Sequence, residues 1–329
     1  MSGPALGVTL FSFARAYRDY RYTFEELIRK SGRLGLGPGL ELVGFQSIRG
    51  YPAVTNSFAL RFRRLLDEYG FVQSALSGNI DAGRRADRLM THDETVEVIE
   101  AQIVAAKKLG YPVLKVQFGA GPDALEAALP AAEAADVKLA VEIHAPHHVH
   151  HPTIAALRER FEKLDSGRLG FVPDMGATMN AIPRGFIRNW RAQPDAPPEL
   201  VELTIAAWQR VHDGGDAFAE RRQLLRAAEE MGAHSSVRFA WSALTLYGTN
   251  TPEAWAEIMP LVFHVHGKFY ELGEDGTEPS ISYDRLIPLF RDGGYTGTIS
   301  SEWEGAVFDP DADPFELVRR HQELLRRYL

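Results

Sequence analysis

Four short apolar runs from residue 141 onwards end on side chains suited to binding hard cations. They read Val141-Glu142-Ile143-His144, Val172-Pro173-Asp174, His264-Val265-His266 and Ser300-Ser301-Glu302-Trp303-Glu304. If these are strands, alternation puts Glu142 with His144, His264 with His266, and Glu302 with Glu304 on shared faces. A glutamate between Val141 and Ile143 is costly to bury unless it is paired or bound to a cation. One such residue reads equally well as half of a structural salt bridge. Four consecutive runs that all carry ligands point instead to a divalent-metal site made of Glu142, Asp174, His266 and Glu302. Mostly oxygen with one imidazole, this set suits Mn²⁺ or Mg²⁺, with Co²⁺ or Zn²⁺ also compatible.

A metal so placed polarises a carbonyl or an enediolate oxygen, and a neighbouring carboxylate or histidine then moves a proton on the adjacent carbon. The reaction class is proton abstraction α to a carbonyl. His144 is a candidate base, because an imidazole near pKa ~6.5 is poised at neutral pH, or else a fifth ligand. Lys115 and Gln117, two apart at the end of another apolar run, could hold substrate hydroxyls, as could Gln46, His264 and Lys268. Each reads equally as a structural or solvated side chain. His147, His148, His150 and His151 form a polar loop ending at Pro152, of which one could touch substrate.

The elements that must position these residues are short. Strands are expected at Leu6–Phe13, Leu40–Gln46, Phe71–Leu76, Val113–Phe118, Lys138–His144, Leu169–Asp174, Leu261–His266 and Thr298–Glu302, all with the apolar character of strands buried on both faces. Helical runs lie between them. Thr23–Glu26 and Thr91–Glu94 fit capping boxes, and Thr251-Pro252 and Asp313-Pro314 place proline at a first helical position. Eight strands alternating with helices predict a (β/α)₈ TIM barrel, whose active site forms at the C-terminal strand ends. No GxGxxG or P-loop supports an open nucleotide-binding sheet.

At 329 residues the chain exceeds a typical barrel of about 250. The surplus falls mostly between Asp174 and Leu261, so one domain over 1–329 is expected, with 177–250 as an inserted lid region. There Glu199–Asp213 and Asp216–Met231 read as helices, while Val237–Gly248 could be strand or helix. Arg184–Arg191 interleaves basic and aromatic residues, as expected of a lid on an aromatic group or of a subunit contact. The absence of cysteine excludes disulfides, thiolate nucleophiles and cysteine-ligated metals and fits a cytoplasmic chain. A net charge of −8 argues against nucleic acid as partner, and no apolar run reaches the ~20 residues that span a bilayer.

The order of Glu142, Asp174, His266 and Glu302, with Tyr283-Asp284-Arg285-Leu286 and Gly294-Tyr295-Thr296-Gly297, resembles the xylose-isomerase-like sugar isomerases and epimerases. In ketose 3-epimerases of that group the two glutamates bind metal and serve as acid and base, which maps to Glu142 and Glu302. Glu142-Ile143-His144-Ala145-Pro146, Arg49-Gly50-Tyr51-Pro52 and His266-Gly267-Lys268-Phe269-Tyr270 look more specifically like the α subunit of bacterial C-glycoside deglycosidases. That resemblance implies carbon–carbon cleavage of 3-oxo-C-glycosides around a manganese-type ion, with His144 as base. It also implies a small β subunit in a higher hetero-oligomer. A three-zinc abasic-site endonuclease of the same superfamily would carry a histidine where this chain has Ala177. A non-catalytic sugar-binding protein would not need acid–base groups around a metal.

Overall fold

Eight parallel strands, β1 (Ala5–Thr9), β2 (Gly39–Val43), β3 (Val72–Ser77), β4 (Val113–Val116), β5 (Lys138–Ile143), β6 (Leu169–Pro173), β7 (Val265–Phe269) and β8 (Thr298–Trp303), form one sheet. They pair in the order β6-β5-β4-β3-β2-β1-β8-β7. The remaining seam is spanned by parallel bridges, Phe171 to Val262 and Asp174 to His266, so the sheet curls into a nearly closed (β/α)₈ barrel. The structure, a computed structural model, describes all residues except Met1, Ser2, Ala82 and Phe118. β2, β4, β6 and β7 are buried along their whole length, as parallel strands covered by helices must be.

Helix caps fix where several of the covering helices begin. Thr23 and Thr91 each close a capping box with Glu26 and Glu94, satisfying two orphan amides at each helix start. Asp313 accepts from the Phe315 amide at 2.9 Å and Pro314 follows it.

Four expected strands end or begin two or more residues from the expected place. β1 stops at Thr9, whose hydroxyl accepts from the Phe11 amide at 3.3 Å and starts a 3₁₀ turn over Leu10–Phe13. β2 stops at Val43, and the helical turn Gly44–Ser47 leaves Gln46 exposed. β4 stops at Val116, and the last residue expected for it, Phe118, lies outside the described residues. The seventh strand begins four residues later than expected, because Pro252–Leu261, containing Pro260, winds as a 3₁₀ helix; proline cannot donate to a central ladder. That shift sets Lys268 opposite Glu302 across β7 and β8.

Between β6 and β7 lie the helices Arg184–Arg191, Pro198–His212, Ala217–Glu230 and Val237–Leu246. The last of these settles Val237–Gly248 as mainly helix. Trp190, Trp208 and Trp255 are fully buried anchors here, each contributing roughly 3 kcal/mol or more by area. Their polar edges are also satisfied: Trp208 Nε1 donates to the Tyr247 carbonyl at 2.8 Å and Trp190 Nε1 to Ser236 Oγ at 3.2 Å. The segment is stitched to the barrel mouth at Gly248, whose amide donates to the Gly176 carbonyl at 2.9 Å. A Cβ at Gly248 would lie 2.2 Å from the Ala177 carbonyl oxygen, so only glycine permits this approach.

Candidate active site

The ends of β5 to β8 converge at one mouth of the barrel. Glu142 leaves β5, Asp174 follows β6, His266 sits on β7 and Glu302 on β8. One ligand atom from each lies within 4.8 Å of the others. His266 Nδ1 is 2.7 Å from Glu142 Oε1 and 3.2 Å from Glu302 Oε2. Its Nε2 faces Glu41 Oε2 at 3.0 Å, which leaves Nδ1 free to point into the cluster when Nε2 carries the proton. His266 Nδ1, Asp174 Oδ2 and Glu302 Oε2 are buried and make ion-pair contacts of 2.7 to 3.2 Å with Glu142 or Lys268 instead of hydrogen bonds of regular geometry. Buried polar atoms normally have a well-formed partner, and ligand atoms aimed at a common centre in this way fit a metal site.

The charge balance points the same way. Glu41, Glu142, Asp174, Glu302 and Glu304 bring five carboxylates, against the ammonium groups of Lys115 and Lys268. Lys115 Nζ donates to Glu142 Oε2 at 2.8 Å. Lys268 Nζ lies 2.8 Å from Asp174 Oδ2, 3.2 Å from Glu302 Oε2 and 3.0 Å from Glu304 Oε1. The remaining negative charge must be offset, since isolated buried charge is very costly. Without an ion that falls to His266: burial opposes its protonation, but Glu302 and Glu41 outweigh burial and raise its pKa well above the ordinary value. Burial likewise pushes the Glu142 carboxyl up, and Lys115 and His266 more than reverse that. A divalent ion would serve the same electrostatic purpose, so the residues present fit one.

His144 stands beside this cluster. Its Nδ1 is 2.6 Å from the Ala145 carbonyl oxygen and must donate there, leaving Nε2 as the basic nitrogen, 3.7 Å from Asp174 Oδ2. His144 is not part of the four-residue ligand cluster.

Two cavities open on this mouth. The first, about 470 Å³, is lined by Thr9, Lys115, Gln117, Glu142, His147, Lys268 and Glu302 among others. The second, about 600 Å³, lies beside the helices between β6 and β7 and is walled by Phe186, Phe239, Tyr247, Tyr270, Trp303 and Phe308. Phe11, His144 and Glu304 line both.

The expected substrate residues divide accordingly. Lys115, Gln117 and Lys268 line the first cavity, and of the loop histidines only His147 does. His151 instead caps the next helix, and His150 pairs with Glu257 at 2.8 Å. Two of the expected residues do not line that cavity. Gln46 is exposed and away from the cavity, because β2 ends three residues before it. His264 is buried off the cavity wall, its Nε2 3.2 Å from Glu41 Oε2, because the later start of β7 leaves it below the mouth. Glu41 itself was not anticipated, although a glutamate between Leu40 and Leu42 carries the same signal as Glu142. It accepts from Ser77 and holds both histidines.

Comparison with known proteins decides the family. The model of the xylose isomerase-like TIM barrel matches residues 38–328. A 3'-dehydrocarminate deglycosidase alpha subunit from Microbacterium sp is 45% identical over 98% of this chain and 95% of its own. The chain belongs to the C-glycoside deglycosidase α subunits, within the xylose isomerase-like barrels. A C-glycoside deglycosidase alpha subunit from Arthrobacter globiformis is 40% identical over 98% of this chain and 90% of its own. Among solved structures, an L-ribulose 3-epimerase superposes with a TM-score of 0.58 over 99% of this chain and 94% of that one, at 13% identity, which shows a shared fold. The chain is thus an enzyme of a family whose members transform sugars. No helix among the described residues is long and apolar enough to cross a membrane.

Proposed function

We propose that this chain is the α subunit of an enzyme that cleaves the carbon–carbon bond of 3-oxo-C-glycosides. The observation that carries this reading is the position of His144. It stands where a polar, ligand-rich cavity meets an aromatic one, with a basic Nε2 left open by the Nδ1 hydrogen bond. A sugar in the first cavity and an aryl group in the second would put their shared bond beside it. The identity to named deglycosidase α subunits supports the substrate class.

A divalent ion held by Glu142, Asp174, His266 and Glu302 would supply Lewis-acid stabilisation of negative charge at the C3 oxygen. His144 Nε2 removes the C2 proton, which is acidified by the adjacent C3 ketone. The electron pair from C2–H forms C1=C2 as the C1–aryl bond breaks. The aryl carbon leaves with the bonding pair and takes up a proton, so one proton is lost and one gained. Lys268, ion-paired within the cluster and lining the cavity, can donate to a sugar oxygen. The α designation of the relatives supports a partner subunit for this chain as well.

The epimerase reading has its own support, since Glu142 and Glu302 face one another across His266 Nδ1. Against it, Glu142 Oε2 is already committed to Lys115 and Oε1 lies against His266. Incubating the chain, with and without a candidate β subunit, with a 3-oxo-C-glucoside and with free ketoses separates the two. Aglycone release that disappears in His144→Ala is the expected result. Ketose interconversion that disappears in Glu142→Gln or Glu302→Gln, without aglycone release, would overturn it.

A further inference from the structure

Lys268 is a cation held inside a group of carboxylates that would hold a cation of their own. It is buried, and its ammonium sits among three of them: Asp174 Oδ2 at 2.8 Å, Glu304 Oε1 at 3.0 Å and Glu302 Oε2 at 3.2 Å. Asp174 and Glu302 belong to the ligand cluster; among the described residues, Glu304 is the one ion-pair partner of Lys268 outside it. The lysine has little room to leave. Its carbonyl accepts from the Tyr283 hydroxyl, and a Cβ at Gly176 would lie 3.0 Å from Lys268 Cδ. Asp174 is equally fixed, since its Oδ1 accepts from the Gly176 amide at 2.7 Å, leaving Oδ2 for the ammonium. Glu304 is placed by the barrel itself: one residue beyond β8, its amide donates to the Phe269 carbonyl at 3.0 Å. Its side chain is half-buried and lines both cavities.

An ammonium and a divalent ion compete when they draw on the same carboxylates, and each repels the other across a short distance. A lysine paired with Asp174 and Glu302 alone would therefore oppose metal uptake. Glu304 changes that balance, because a third carboxylate at ion-pair distance offsets the lysine's charge without being a ligand. We propose that Glu304 is a positioning residue that acts through Lys268. It anchors the ammonium outside the ligand cluster, so that Asp174 and Glu302 can give their oxygens to a divalent ion while Lys268 stays on the wall of the first cavity. This role rests on the divalent-ion reading of the cluster and not on which bond the enzyme breaks.

Mn²⁺ binding to the full-length chain, read from the electron paramagnetic resonance of the free ion after bound metal has been stripped, tests this. Glu304→Gln should weaken binding about tenfold, the effect of losing a supporting partner. Glu304→Asp keeps the charge but draws the carboxylate back from Lys268, and should lose most of the same affinity. In the Lys268→Met background, Glu304→Gln should change affinity less than about twofold, because a residue that acts through another is silent once the other is gone. Wild-type affinity in Glu304→Asp, or a loss in Glu304→Gln that persists in the Lys268→Met background, would leave only a through-space charge and overturn the inference. So would unchanged affinity in Glu304→Gln. The Glu304→Asp comparison decides alone if Lys268→Met does not fold. A wild type that takes up no Mn²⁺ overturns this role together with the metal reading. Aglycone release from a 3-oxo-C-glycoside at saturating Mn²⁺ keeps the cleavage reading apart. Coupled affinities without release sink only that reading; release with uncoupled affinities sinks only the positioning role.

Discussion

The two cavities share Phe11, His144 and Glu304 but are built by different means. The polar one is set by strands: Glu41, Lys115, Glu142, His266, Lys268 and Glu302 all lie on the barrel. Their spacing is fixed by backbone ladders such as Lys268 opposite Glu302. The aromatic one is set by turns and by the helices between β6 and β7, from the 3₁₀ turn after β1 to the Gly305–Val307 turn after β8. Strand-borne groups are held to the tolerance that proton transfer demands, whereas a hydrophobic wall can vary in detail and still hold a ring. Chemistry should therefore be lost through the first cavity and selectivity through the second.

The largest break is expected at the ligand cluster. His266→Ala, or chelation of the wild type, should abolish turnover, with metal content by mass spectrometry falling in parallel. Full activity in a metal-free preparation would refute the metal reading. His144→Ala tests a different claim, because it should keep the metal and still lose about 10²–10⁴-fold in aglycone release, the usual worth of a general base. If its metal content falls as well, His144 is a ligand, and the roles within the first cavity must be redrawn.

Next in size is an effect on the scaffold beneath that cavity. His321 is fully buried, stacked on Phe269 at 4.0 Å with Nδ1 2.8 Å from Ser301 Oγ, and burial pulls its pKa down to about 3. The unfolded chain protonates this ring near ~6.5, so below that pH the unfolded state binds the extra proton. The contribution is complete above the unfolded value and is lost as pH falls towards the folded one, by roughly 2 kcal/mol between pH 6.5 and 5. Urea unfolding at several pH values should show this loss, and His321→Phe should flatten it. An unchanged slope in the variant would exclude His321 as the cause.

Glu41→Gln should act more gently and still on the first cavity. It keeps the shape but weakens the hold on His266 Nε2. Loss of such a supporting carboxylate costs about 10–100-fold in metal affinity. Competition with a chromogenic chelator reads that shift directly, and excess metal should rescue activity. Failure of added metal to rescue would mean that Glu41 acts on something other than the ion.

What could be read from the sequence follows the same division. Period-two alternation and the cost of a buried carboxylate were enough to gather Glu142, Asp174, His266 and Glu302, because a strand has only two faces. The same rule applied to Leu40-Glu41-Leu42 would have found the supporting glutamate. His264 and Gln46 lie off the cavity wall because both depend on where a strand starts or stops, and that is decided by a proline-bearing 3₁₀ helix and a helical turn. The aromatic cavity was visible only as the basic and aromatic stretch Arg184–Arg191. Its walls come from residues as far apart as Phe11, Tyr247 and Trp303, and no local period links them.

The smallest effect should separate the cavities most cleanly. Val307 is 76% exposed on the aromatic cavity and lines only that one. Val307→Asp should cost little stability, as surface changes generally do, and remove a contact worth about 1 kcal/mol to a bound ring. KM for an aryl 3-oxo-C-glycoside should then rise about fivefold with kcat unchanged. Deuterium exchange at C2 of a 3-ketosugar without an aglycone should not change at all, because that molecule fills only the first cavity. If exchange slows together with aryl binding, the two cavities are one coupled site. Selectivity could then not be altered at the walls without disturbing the proton transfer at His144.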